Sequence, residues 1–228
     1  MSEQAKIFAR IQEALKRPAP FPGSASSASH IFSGLPSSGT LRAWLPPVGE
    51  TFEERLALFC KNAADLKTEF HLANSWAEAS ATLSKLREIE DWKLIGSHAG
   101  ELTDIACQAL ALPVCRTDQS YSTSTLETCD AALTECDALI AQTGSVLVTS
   151  HSAGGRALSV LPPHHVVLAR RQQLLPDLSE AFNLLKKKHA GNYPSFISFI
   201  TGPSRTGDIE RVLVLGAHGP RKLTILCV

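Results

Sequence analysis

Between Ile200 and Glu210 the sequence reads ITGPSRTGDIE: an apolar run stops at Gly202-Pro203, and hydroxyls, a guanidinium and two carboxylates follow over the next seven positions. Gly202 and Gly207 let backbone approach a ligand closely, Ser204 and Thr206 supply hydroxyls, and Arg205 offers a planar fork suited to carboxylate or phosphate. Where a strand leads into a helix, the first N–H groups of that helix lack internal partners, so the cluster reads as an anion cradle. It reads equally as an ordinary helix start, with Ser204 as N-cap and Arg205 paired to Asp208 at i, i+3. Asp208 and Glu210 stand two apart and face different sides of such a helix, so sequence proximity does not make them a dyad.

A second group is GAHGP, Gly216 to Pro220. Its glycines, Gly219 among them, leave His218 in an open loop where an imidazole titrating near neutrality can serve as acid, base or anion donor. The bland alternative is a turn residue whose ring caps a carbonyl. In QTGS, Gln142 to Ser145, the Thr143 hydroxyl and the amides around Gly144 can meet a bound oxygen, and SHSAGGR, Ser150 to Arg156, adds a glycine-rich loop. Each can also be only a turn or a connection. The candidate ligand-binding residues are therefore Thr143, Gly144, Gly202, Ser204, Arg205, Thr206 and Gly219, with Asp208, Glu210 and His218 as candidate proton movers. No metal site is expected. His164-His165 are adjacent in an extended run and point to opposite faces. HExxH, Walker and GxSxG patterns are absent.

The elements around these residues alternate. TFEERLALFCKNAADL opens with Thr51 and Glu54 in capping-box spacing, TEFHLAN is a strand, SWAEASATLSKLREI a helix capped by Ser75, WKLIGSH a strand and ELTDIACQALA a helix. Alternation of this kind predicts a mostly parallel sheet sandwiched by helices, an α/β fold. CDALIAQTGSVLVTS predicts an antiparallel hairpin about Thr143-Gly144. HVVLAR, SFISFI and RKLTILCV are further strands, and LPDLSEAFNLLKKK is a helix. Open α/β sheets bind ligands at the carboxyl ends of their strands, so the three loops are expected to converge on one such edge. Residues 51–228 form this domain. Residues 1–50 hold an amphipathic helix with Ile7, Ile11 and Leu15 four apart, then an arm rich in Pro, Gly and Ser. Apolar residues spaced along the arm, residues 18–50, pin it either to its own domain or to a second copy.

Composition narrows the class. The 228 residues are 44% hydrophobic and 19% charged with zero formal net charge, which leaves no global field for nucleic acid or an anionic membrane. The balance is uneven: residues 164–228 hold 9 Lys/Arg against 4 Asp/Glu. Six cysteines show no CxxC pair, so they read as reduced, mostly buried thiols and not as cluster ligands. With no apolar run of membrane length and no signal-type leader, a cytoplasmic location is expected.

Taken together, CDALIAQTGSVLVTS, LSVLPPHHVVLARRQQLLPDLSEAF, SFISFITGPSRTGDIE and GAHGPRKLTILCV resemble the LUD (lactate utilisation) domain family, in its LutC/YkgG type. The likeness is strong from Cys136 to Val228 and looser back to Thr51. It implies a fold like the glucosamine-phosphate isomerase, ribose-phosphate isomerase and CoA-transferase group. It also implies a subunit without a redox centre in a system that oxidises L-lactate to pyruvate, beside partners of which one carries iron–sulfur clusters. The family motif places Thr143, Gly144, Ser204, Arg205, Thr206, Asp208, Glu210 and His218 around the pocket. Gln142 departs from it, standing where many members carry an acid. The alternative is a stand-alone isomerase-like enzyme acting on a sugar phosphate or similar anion, with fold analogy as its link.

Overall fold

The computed structural model describes residues 47–207, 213–216 and 218–228, together with Arg10, Glu13 and Lys16. One compact unit runs from Pro47 to Val228 and another from Met1 to Pro46. Of the second, Arg10 and Glu13 are helical. The remainder of the amphipathic helix and the arm, up to residue 46, lies outside the described residues, as do Asp208 and Glu210.

The larger unit begins α1 (Phe52–Asp65), β1 (Glu69–Leu72), α2 (Trp76–Ile89), β2 (Ile95–Ser97), α3 (Glu101–Leu110), β3 (Val114–Arg116), α4 (Thr123–Glu127) and β4 (Ala131–Glu135). It continues β5 (Ala138–Ile140), β6 (Ser145–Thr149), β7 (His164–Ala169), β8 (Leu174–Leu175), α5 (Leu178–His189) and β9 (Ile197–Ile200). It ends β10 (Arg205–Gly207), β11 (Leu213–Leu215) and β12 (Lys222–Cys227). The start signals work as their chemistry requires. Thr51 Oγ1 accepts from Glu54 N at 3.2 Å while Glu54 returns a carboxylate to Thr51 N at 3.0 Å. Those backbone donors hold the Glu54 carboxyl below the usual range. Ser75 and Asp177 cap α2 and α5 by accepting from Glu78 N and Glu180 N.

Six strands form an all-parallel sheet in the order β1-β12-β7-β4-β2-β3. A fully parallel sheet must be covered on both faces, and the alternation along β7 shows how. Val166 and Leu168 face α2 and α3, with Leu83, Leu102 and Ala106 around them. Val167 and Ala169 face the other way, toward Phe59 of α1 and toward Leu139, Val146 and Val148 of a second sheet. That four-stranded sheet, β8-β5-β6-β9, contains the hairpin expected about Thr143-Gly144 and packs its far face on Ala181 and Leu185 of α5. The layers are thus helices, parallel sheet, second sheet with α1, and α5. Among the described residues no helix is long and apolar enough to cross a membrane.

The hairpin is locked to α1. Asn62 Nδ2 donates to Ala141 O and Gln142 O at 2.9 Å each. Gly144 has φ +64°, and a Cβ there would stand 2.8 Å from the Ala63 nitrogen and the Asn62 carbonyl carbon. Gly144→Ala is therefore expected to cost about 3 kcal/mol, combining left-handed strain with a backbone clash. A urea titration checks this as a lower midpoint at unchanged slope.

Candidate ligand-binding site

The GPS and AHGP segments meet at one cleft of about 180 Å³. Gly202, Pro203 and Ser204 form one rim; His218, Gly219 and Pro220 form the other. The fit between the rims is close. Ser204 N donates to Pro220 O at 2.8 Å and Gly216 N donates to Ser204 O at 2.8 Å, while a Cβ on Gly219 would come within 3.2 Å of Ser204 Cβ. Val160, Ile200 and Leu223 make apolar walls, with the Ser159 side chain beside them. His165 of β7 also lines the cleft and is 1% exposed.

His165 is the notable group in this lining. Its Nε2 pairs with the Thr134 hydroxyl at 2.9 Å, and its Nδ1 is buried with no hydrogen-bond partner. A buried polar nitrogen left unpaired is costly, and a ligand that pairs it recovers that cost. Burial, with a smaller contribution from neighbouring His164, lowers its pKa to about 3, so the ring is neutral at physiological pH and serves as a hydrogen-bonding group. A wider space of about 660 Å³ adjoins the cleft through Val160, His218 and Gly219, and is lined also by Arg221 and Glu127. Among the described residues no Lys or Arg lines the inner cleft. The combination suits a small molecule whose polar atom enters toward His165 while its charged end stays toward Arg221 and His218.

Among the described residues the helix start that the anion cradle needs is not formed. Arg205–Gly207 is strand β10, paired antiparallel with β11, so no helix N-terminus follows Gly202-Pro203. The Ser204 amide is already bonded, as given above. Arg205 is exposed; Nη2 approaches Thr201 O at 3.5 Å, the outer limit of a hydrogen bond. Thr206 lies in β10. Gly202 is buried with φ +87°, over the Leu66 carbonyl that ends α1. Thr143 and Gly144 do not line the cleft: their turn packs on α1, and Thr143 Oγ1 is buried without a partner.

The three loops also do not converge. The cleft follows β9 in chain order, yet on the parallel sheet it lies over the amino ends of β7 and β12, where His165 and Leu223 stand. The glycine loop 150–156 goes to the carboxyl edge instead. Gly154 closes on His98 after β2, where a Cβ would sit 2.2 Å from His98 Cβ, and Thr117 Oγ1 donates to Gly154 O at 2.7 Å. That edge, where open α/β sheets ordinarily bind ligands, is filled by its own groups. Glu135 Oε1 accepts from Leu102 N at the start of α3 at 2.8 Å, and His98 Nδ1 bonds Ala99 O at 2.9 Å. His164-His165 make a poor metal pair, but the sequence gives no sign that His165 lines a cleft beyond a histidine pair opening an otherwise apolar central strand.

With the geometry in place, comparison with known proteins is informative. The LUD domain profile matches residues 56–228. The chain belongs to the LUD domain family. Among relatives, Lactate utilization protein C of Anoxybacillus flavithermus is 36% identical over 102 residues, 45% of this chain and 45% of that protein. The Deinococcus radiodurans protein of the same name is 33% identical over 121 residues, 52% of this chain and 56% of that protein. The chain spans about half the length of the curated relatives it matches. The crystal structure of a DUF162 family protein from Deinococcus radiodurans superposes with a TM-score of 0.64 at 23% identity, covering 79% of this chain and 99% of that one. That likeness confirms the α/β fold of the LUD domain here.

Proposed function

We propose that this LUD domain protein is a subunit without a redox centre in a system oxidising L-lactate to pyruvate, and that it holds a small 2-hydroxy or 2-oxo carboxylate in the cleft over His165. The relatives' shared name, lactate utilization protein C, supports the setting. Iron–sulfur clusters belong to a partner in this reading. The observation that carries the ligand assignment is the unpaired Nδ1 of His165 beneath a cleft of about 180 Å³. A three-carbon hydroxy acid matches it, with its hydroxyl or carbonyl at His165 and its carboxylate toward Arg221 and His218. A phosphate dianion needs concentrated positive charge, and among the described residues the inner cleft has no Lys or Arg, which favours the monocarboxylate over a sugar phosphate.

A ligand that binds only the folded state stabilises it by RT ln(1 + [L]/Kd), about 2.7 kcal/mol at a hundredfold excess over Kd. L-lactate or pyruvate is therefore expected to raise Tm by about 5 °C or more at saturation, with inorganic phosphate and glucose 6-phosphate inert. Gly219→Val, which pushes a side chain against Ser204, should remove the rise. In cells, growth on L-lactate should be lost on deletion and restored by the wild type but not by Gly219→Val. A rise with the phosphates alone would replace this reading by the isomerase-like one.

A further inference from the structure

His164 and His165 are consecutive in β7, so their rings leave opposite faces of the sheet. The second ring also meets a cleft. His164 is 3% exposed and lies edge-on to Trp92 at 5.2 Å, in the lining of a separate space of about 190 Å³. The charged residues of that lining are Glu90, Asp130, Arg221 and Lys222.

The hydrogen-bond chain behind His164 fixes its tautomer. A carboxylate can only accept, so the Thr224 hydroxyl donates to Glu69 Oε2, at 3.3 Å. Its oxygen must then accept from His164, and Nε2, at 2.8 Å, carries the ring proton. Nδ1 is left as a bare lone pair, buried and without a partner. A donor that reached it from the cleft would satisfy it. Burial also lowers the pKa of the ring, which keeps that lone pair free of a proton.

The surrounding charges are complementary to one kind of guest. Lys222 Nζ bonds both oxygens of Glu90, at 2.5 and 2.6 Å, so these two neutralise each other. Asp130 uses Oδ2 to accept from Lys93 N and Leu94 N, and Oδ1 has no hydrogen bond among the described residues. Arg221 makes no ion pair among the described residues; its stem lies over Gly216 and its backbone N–H donates to Pro163 O. Among the described residues, one uncommitted carboxylate oxygen, one uncommitted guanidinium and one imidazole lone pair thus line a single cleft beside an indole.

We propose that this second cleft binds a small α-amino acid as its zwitterion, the ammonium shared by Asp130 and His164 Nδ1 and the carboxylate held by Arg221. A hydroxy acid supplies no cation for Asp130, and a simple amine supplies no anion for Arg221; the zwitterion supplies both. The site is distinct from the cleft over His165, although Arg221 also lines the wider space that adjoins that cleft.

Titration calorimetry of the full chain with each standard amino acid tests this. At least one should bind saturably at concentrations to about 10 mM, a range suited to a site with a few charge-assisted contacts. In Gly219→Val, whose cleft over His165 is closed to hydroxy acids, its decarboxylated amine and its deaminated hydroxy acid should each bind at least about tenfold more weakly than the amino acid. Asp130→Asn, which keeps an oxygen for Lys93 N and Leu94 N, should weaken binding by a similar factor with thermal unfolding unchanged, and Arg221→Gln should do the same. Gly219→Val should leave amino-acid binding intact, which separates failure here from failure of the lactate cleft. Absence of binding by every amino acid, equal binding of the amine or hydroxy acid in Gly219→Val, or wild-type affinity in Asp130→Asn would each overturn the assignment.

Discussion

Lowering the pH from 7 to 4 is expected to remove about 3 kcal/mol of folding stability through His165 alone. In the unfolded chain this histidine titrates near its ordinary value of about 6.5, whereas in the folded protein burial lowers its pKa to about 3. Between those values the unfolded state binds a proton that the native state does not, so stability falls as pH falls. Above pH of about 6.5 both forms are neutral and the contribution is flat. The slope is about 1.4 kcal/mol per pH unit inside the window. Urea titrations of the wild type and His165→Gln across this range measure it, since the variant should lose the steep acid limb whatever its stability at neutrality. Parallel decline of both proteins would mean that His165 is hydrated in the folded state, and the cleft would lose its defining group.

At neutral pH, Lys188→Met should cost about 3 kcal/mol, because it strands a buried charge. The Asp137 side chain is fully buried while Lys188 is about half exposed, and Lys188 Nζ bonds Asp137 Oδ1. Ser152 Oγ donates to the other oxygen at 2.6 Å. Burial alone would raise this carboxyl; the Lys188, Ser152 and Thr149 bonds outweigh it and hold the pKa below the usual value. A depressed carboxyl contributes stability above its unfolded pKa of about 3.9 and loses it as pH falls through the folded one. Removing the ammonium reverses the shift, so the deficit of Lys188→Met should be largest at neutrality and shrink toward pH 4. Lys188→Met/Asp137→Asn should recover much of it. Since Ser152 anchors the loop that runs on to Ser159 at the cleft, the pair also supports the site at a distance.

Local signals carried well where chemistry and periodicity agree. The capping residues Thr51 and Ser75, the hairpin about Gly144 and the buried run of β7 are where the sequence predicts them. Ala131–Glu135 is different: AALTE has helix-forming composition, yet it is a central strand, fully buried as far as Thr134, because neighbouring β2 and β7 decide its conformation. The misreading at Gly202–Gly207 has a similar cause. Gly-Pro-Ser before acidic residues is a good helix start, but pairing with Leu213–Leu215 makes it strand, a partner that local sequence does not disclose. Four candidates, Gly202, Ser204, His218 and Gly219, do come together, drawn by the backbone bonds between Ser204 and the 216–220 loop. Their convergence over the amino edge, and on His165, depends on the order of strands in the sheet and is not a property of any one segment.

The ring nitrogens of the histidines report directly on which edge of the sheet binds the ligand. Titrating 15N-histidine-labelled protein with L-lactate or pyruvate should shift the His165 resonances saturably, with Nδ1 moving most and His98 at the carboxyl edge unmoved. Shifts at His98 with His165 silent, or no histidine shift at saturating ligand, would contradict the account.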